Sequence, residues 1–104
     1  MEESYTAKVK IINPLGLHAR AAALLYQVSR QYESKVGVLN GIKPAHSVEI
    51  INGKEYANAK SIMSILCIAA GYGHEVEIAT EGKDAKPCLE HVVKLFISGF
   101  NELE

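Results

Sequence analysis

The stretch Tyr5-Thr6-Ala7-Lys8-Val9-Lys10-Ile11-Ile12-Asn13-Pro14-Leu15-Gly16-Leu17-His18-Ala19-Arg20-Ala21-Ala22-Ala23-Leu24-Leu25 changes its hydrophobic period partway along. Tyr5, Ala7, Val9 and Ile11 recur at every second residue, which predicts a strand from Tyr5 to Asn13 with one apolar face. Asn13-Pro14-Leu15-Gly16 ends it, because proline has no N–H for a ladder and Asn and Gly tolerate turn geometry. From Ala19 to Tyr32 the period becomes helical. Ala21, Leu25, Val28 and Tyr32 fall on one side, while Arg20, Gln27, Arg30 and Gln31 fall on another. A strand that feeds a helix through a tight turn makes an α+β domain the reading to test.

The rest of the chain extends this pattern. Ser47 to Ala57 reads as a hairpin around Asn52-Gly53. Ser61 to Ala70 is short and apolar nearly all round; a strand is compatible with it, but Met, Leu and Ala favour a short helix closed by Gly71. His74 to Ala79 alternates again, and Glu81-Gly82 turns the chain. Leu89, Val92, Val93, Phe96 and Phe100 predict a last helix with Asp84 as its cap and Pro87 in its first turn. Residues 33–46 fit neither period; Val36-Gly37-Val38-Leu39 has strand character, but Pro44 argues against a central strand, so the segment reads as an extended excursion. The expected order is β-α-β-β-α-β-α, a mostly antiparallel sheet with helices on one face.

The chain's 104 residues make one domain spanning 1–104 the expectation, large enough for a core without staples. With 11 Lys+Arg against 12 Asp+Glu, and Tyr and Phe not interleaved with a basic stripe, nothing points to nucleic acid. The longest apolar run, Ile65 to Ala70, is six residues, too short for membrane insertion. Met1-Glu2-Glu3 is acidic where a secretory signal is basic, so a cytoplasmic location with Cys67 and Cys88 as free thiols is expected. Cys67 reads as a core hydrophobe, and Cys88 as a thiol whose pKa the last helix lowers slightly. His91 lies opposite the apolar stripe of that helix and reads as solvated; His46 and His74 have no evident partner. No metal-ligand spacing, nucleotide loop or nucleophile elbow occurs, so neither metal nor cofactor is expected.

His18 stands apart because it follows a turn and immediately precedes a helix, with Arg20 two residues on. Unpaired N–H groups and the helix dipole favour an anion there, and a guanidinium adds a charged donor. A neutral imidazole is a competent nucleophile, so a phosphoryl group on His18 would be well held. On position alone, a simple N-cap role for His18 and a solvated Arg20 are the favoured account of the pattern.

Gly16-Leu17-His18-Ala19-Arg20, then Lys60-Ser61-Ile62-Met63-Ser64-Ile65, then Gly73-His74-Glu75-Val76-Glu77-Ile78 before an acidic turn and a last helix, resemble the HPr family over nearly the whole chain. These are the histidine-containing phosphocarriers of the bacterial sugar phosphotransferase system. The resemblance implies an open-faced β-sandwich, a four-stranded antiparallel sheet with three helices on one face. It implies a carrier and not an enzyme with turnover: His18 accepts a phosphoryl group at Nδ1 from Enzyme I, originally from phosphoenolpyruvate, and donates it to a sugar-specific Enzyme IIA. Arg20 then stabilises the phosphoryl group, and partners dock on Ala23, Gln27 and Arg30 and on Ile62, Met63 and Leu66. Ser61 becomes a regulatory phosphorylation site for a serine kinase, in addition to the N-cap its position predicts. A monomer is expected. Two departures are visible: Ala21 stands where the family commonly has proline, and the excursion at 35–46 makes this region about twelve residues longer than the family pattern. Two other readings compete with the carrier: an HPr-like regulator that binds a transcription or metabolic regulator without sugar uptake, and a βαββαβ ligand sensor in which His18 is incidental.

Overall fold

The computed structural model describes residues 3–41, 44 and 46–102. Eight elements follow in order: β1 (Ser4–Lys10), α1 (Ala19–Ser29), β2 (Lys35–Leu39), β3 (Val48–Ile51), β4 (Lys54–Asn58), α2 (Ile62–Cys67), β5 (Glu75–Glu81) and α3 (Ala85–Ile97). The strands form one sheet in the order β1-β5-β2-β4-β3, with every neighbouring pair antiparallel. The three helices share one face. Leu25 of α1, Ile65 of α2 and Val92 and Phe96 of α3 close over Val36, Val38, Ala57, Val76 and Ile78 of the sheet. Each fully buried aliphatic or aromatic side chain contributes roughly 1.5–3 kcal/mol relative to exposure, so this single layer contact is the main source of stability.

Among the described residues the sheet has five strands, not four, and the fifth lies inside the expected excursion. Lys35–Leu39 is β2, the strand between β5 and β4 at the centre of the sheet. Its alternation is hard to read because Gly37 has no side chain to mark the second face. Val36 and Val38 point into the helical core, and Gly37 faces the other way. Pro44 lies past the end of β2 and so does not interrupt its ladder. The remainder of the excursion at residues 42, 43 and 45 lies outside the described residues.

Element ends also moved. α1 stops at Ser29, and Tyr32 reaches the core from the turn that follows, where Tyr32 N donates to Ser29 O at 3.2 Å. α2 ends at Cys67, and the reversal comes at Ala69 (φ 50°), ahead of the glycine expected to close it. Asp84 occupies the N-cap position of α3 but makes no side-chain capping bond there. Its carboxylate accepts instead from Ser34 Oγ and from the N–H groups of Glu33 and Ser34, both at 3.0 Å. Those donors, Ser34 first, hold its carboxyl below the usual carboxylate range. The connection into β2 is thereby tied to the start of α3.

The sheet face away from the helices is not bare. Asn52 (φ 52°) and Gly53 (φ 78°) both take positive φ, as a type I′ hairpin turn requires. The β3–β4 hairpin built on that turn brings β3, although an edge strand, close to β2 and β5 as well. Ile51 and Tyr56 are thereby buried against Leu39 and Ala79 in a second, smaller core. Tyr56 Oη donates to Glu77 on β5, and Lys54 Nζ reaches the same carboxylate at 3.0 Å. The Tyr56 hydrogen bond, followed by those of Lys54, holds the Glu77 carboxyl below its ordinary range against its partial burial.

Gly37 makes this cover possible. A Cβ there would run into Cβ and Cγ of Tyr56 and press on Ile51 Cδ1 at 3.2 Å. Gly37→Ala should therefore destabilise the protein by about 1–3 kcal/mol, the usual scale of overpacking. Urea unfolding followed by circular dichroism measures it; an unchanged midpoint would mean that the hairpin does not lie on the sheet.

Candidate functional site at the start of helix α1

Gly16 decides where the site sits. Its φ of +65° suits glycine, and a Cβ would lie 2.6 Å from Ala70 O and 2.8 Å from Gly71 Cα. The backbone ahead of α1 can thus lie directly on the backbone that follows α2, where Leu17 N donates to Ala70 O at 3.0 Å. Asn13, fully buried, locks the turn: its Nδ2 donates to Gly16 O at 2.8 Å, and Gly16 N donates to Asn13 O at 3.1 Å.

His18 is the N-cap of α1, with extended backbone (φ −79°, ψ −177°). Its Nδ1 accepts from Arg20 N at 3.3 Å, and its carbonyl accepts the first helical bond from Ala22 N at 2.8 Å. The imidazole is a quarter exposed. On its other side Nε2 meets the carboxylate of Glu102, and the second oxygen of that carboxylate accepts from Asn13 Nδ2 at 3.2 Å. The hydrogen bond from His18, then that from Asn13, hold the Glu102 carboxyl below its ordinary range, and the charge of Arg20 adds to the effect. The carboxylate is therefore ionised at neutral pH.

This site joins an imidazole nitrogen at a helix N-terminus, a guanidinium two residues on, and an acidic acceptor behind the ring. A dianion bonded to Nδ1 would replace one weak backbone hydrogen bond and face the unpaired donors of the first turn. Ala21, buried at that turn, keeps a backbone N–H that proline would lack.

Arg20, Gln27 and Arg30 are exposed on α1, with Ala23 half-buried among them. The Arg30 guanidinium lies 5.5 Å from the Tyr26 ring centroid, a cation–π contact. On α2, Ile62 and Met63 are 36% and 55% exposed, whereas Leu66 is half-buried and packs on the core. Ser61 caps α2, its Oγ accepting from Ser64 N at 3.3 Å. Leu15 and Tyr72 are also exposed, at the turn before α1 and the turn before β5. Glu102 and the second role of Asn13 are absent from the reading of the sequence. Asn13 was legible only as a turn former, and Glu102 lies 84 positions from His18, beyond any local spacing.

Residues 5–98 match the family model described as PTS HPr component phosphorylation site. The chain is 34% identical to the phosphocarrier protein HPr of Treponema pallidum over 90% of this chain and 93% of that one. It is 37% identical to the phosphocarrier protein HPr of Pseudomonas aeruginosa, covering 93% and 96% of the two chains. Among solved structures it is similar to HPr-C-His from Thermoanaerobacter tengcongensis, with a TM-score of 0.77 and 31% identity over 96% of this chain and 99% of that one.

The other candidate side chains are placed differently from expectation. His91 is half-buried, and its Nδ1 meets Tyr32 Oη at 2.8 Å, so it is not a solvated residue. His74 Nδ1 accepts from Gly71 N at 3.0 Å, which closes the turn before β5. Cys67 is exposed, not in the core. Cys88 is fully buried, and burial, aided by the charge of Asp84, pushes its thiol up to about 12, so the slight lowering by the helix does not occur. Iodoacetamide at about pH 8 should therefore add once to the folded protein, at Cys67, and twice in urea. Intact mass with peptide mapping reads this; rapid labelling of Cys88 in the folded state would contradict its placement.

Proposed function

The chain belongs to the HPr family, the phosphocarriers of the phosphotransferase system, and on that premise we propose that His18 is the residue that carries the phosphoryl group. The observation that supports this most is the aim of Nδ1: its lone pair accepts from the backbone N–H of Arg20 in the first turn of α1. A phosphoryl group there exchanges water for preorganised donors and a guanidinium, which stabilise its charge both in transit and at rest. Enzyme I, charged from phosphoenolpyruvate, is the donor, and a sugar-specific Enzyme IIA is the acceptor. Both dock on the surface made by Ala23, Gln27 and Arg30 of α1 and Ile62, Met63 and Leu66 of α2. The exposure of Met63 and Ile62 supports that role, because apolar side chains on a contact surface are desolvated by the partner. The protein acts as a monomeric cytoplasmic domain spanning residues 1–104.

Incubation with phosphoenolpyruvate and Enzyme I should add one phosphoryl group by intact mass, in an acid-labile linkage. His18→Ala should abolish it. Arg20→Ala should slow it about ten- to a hundredfold, the value of a charge-assisted hydrogen bond, with little change in melting. A His18→Ala protein that is phosphorylated at the normal rate would overturn the assignment.

Ser61 is the proposed regulatory position. Its hydroxyl caps α2, and a phosphate there suits the helix dipole while placing about two negative charges beside Ile62 and Met63. Regulation then works by repulsion and desolvation at the docking surface. Ser61→Asp should slow phosphorylation of His18 by Enzyme I while leaving circular dichroism and melting nearly unchanged. Equal transfer rates for a Ser61-phosphorylated sample would rule the mechanism out.

A further inference from the structure

After Ser98 the chain passes through Gly99, Phe100 and Asn101 with φ of 65°, 57° and 62°. Left-handed backbone is natural for glycine and uncommon for a bulky residue, because Cβ crowds the neighbouring carbonyl. Phe100 is held there by its side chain, which is 1% exposed, belongs to the main core and meets Phe96 edge-on at 4.8 Å between ring centroids. Phe100 N donates to Leu95 O at 3.0 Å and Glu102 N to Gly99 O at 3.1 Å. The turn is therefore a rigid bracket anchored in the core. What it presents is the Glu102 carboxylate, 12% exposed, with one oxygen on Asn13 and the other on His18.

A neutral imidazole carries hydrogen on one nitrogen and a lone pair on the other. An ionised carboxylate only accepts, so the nitrogen that faces Glu102 bears the hydrogen. A backbone N–H only donates, so the nitrogen that faces Arg20 is bare. Both neighbours select the same tautomer, with hydrogen on Nε2 and the lone pair on Nδ1. We propose that Glu102 is the positioning residue of the transfer site: it holds His18 as the Nε2–H tautomer and balances the positive charge the ring gains as Nδ1 takes the phosphoryl group.

This rests on His18 being the phosphoryl acceptor. In the step, the Nδ1 lone pair forms the bond to phosphorus while the bond from phosphorus to the donor protein breaks, and its electron pair returns to the donor. The Nε2 proton stays in place throughout. The ring becomes cationic, and the carboxylate one hydrogen bond away offsets that charge. On onward transfer the ring leaves with its lone pair on Nδ1 and the same proton on Nε2. Neither direction requires a proton to move. The Arg20 backbone N–H faces Nδ1 and the Glu102 carboxylate faces Nε2, so donor and acceptor stand on the two nitrogens in the order transfer needs.

Full-length wild type, Glu102→Gln and Glu102→Ala separate this from a purely structural role. Glutamine keeps an acceptor for Nε2–H and loses the charge; alanine loses both. Proton and nitrogen NMR of the imidazole should show a slowly exchanging, downfield Nε2–H in the wild type. That signal should move upfield in Glu102→Gln and vanish in Glu102→Ala. Phosphoryl acceptance at saturating Enzyme I should fall several-fold in Glu102→Gln and about ten- to a hundredfold in Glu102→Ala. If Glu102→Ala folds poorly, Glu102→Gln, which conserves volume, decides by the same two readouts. Wild-type rates and an unchanged Nε2–H signal in the variants would overturn the role of Glu102 while leaving phosphorylated His18 intact. Absence of phosphorylation on His18 in the wild type would instead remove the carrier assignment itself.

Discussion

The close approach of Gly16 to the backbone at Ala70 and Gly71 is the constraint on which the functional end of the molecule depends. No other residue type offers both the positive φ and the missing Cβ that bring two backbones within van der Waals contact there. Because that contact fixes the chain just ahead of α1, it fixes the direction in which the first unpaired N–H groups of the helix point. His18, the N-cap, has no freedom beyond its own side-chain torsions. The turn is then closed from inside by Asn13, whose amide bonds both Gly16 O and Glu102. One buried asparagine thus links the loop that orients the helix to the carboxylate that orients the ring.

The site is assembled from three remote parts of the chain, each held by the core at a short remove. Leu17 is buried immediately before His18, Ile68 and Ala70 are buried beside the Gly16 contact, and Phe100 is buried immediately before the residues that deliver Glu102. A side chain pinned in the core one or two positions from a polar group transmits the precision of close packing to that group. Left-handed backbone at Phe100 belongs to the same design. Strain of this sort persists only where the surroundings over-determine it, and here the surroundings are the aromatic pair Phe96 and Phe100.

Much of this was legible in the sequence where the signal is local. The change of period at Asn13–Gly16, the Asn52-Gly53 turn, the Ser61 cap and the helical stripe through Val92 and Phe96 each need only a few consecutive residues to declare themselves. The central strand β2 was not legible, because Gly37 erases one face of the alternation and the reason for that glycine, the ring of Tyr56, comes from another strand. Asp84 announced a helix cap and is spent on Ser34 instead; choosing between the two requires knowing what packs beside α3. Phe100 sits at helical spacing yet lies beyond the helix, so periodicity identified its burial correctly and its backbone wrongly. His18 and Arg20 were legible as a pair, while Glu102, reached only through the whole fold, was not.

The two faces of the sheet have therefore diverged in purpose. The helical face holds the large core, the Gly16 contact and the N-terminus of α1, on which the position of His18 depends. The other face holds the β3–β4 hairpin, whose Tyr56 and Ile51 pack on Gly37, Ala79 and Leu39 with no connection to His18. The segment expected as an excursion, residues 35–46, begins with β2 itself, the neighbour of that hairpin in the sheet. By closure entropy, added loop residues cost little, provided that the strand from which they depart keeps its ladder. Lys35–Leu39 keeps it, paired on both sides. Variation on the far face can thus tune stability or contacts without altering the geometry at Nδ1, whereas Ala21, the departure on the helical face, lies within the first turn of α1 and leaves one more N–H donor at the helix start beside His18.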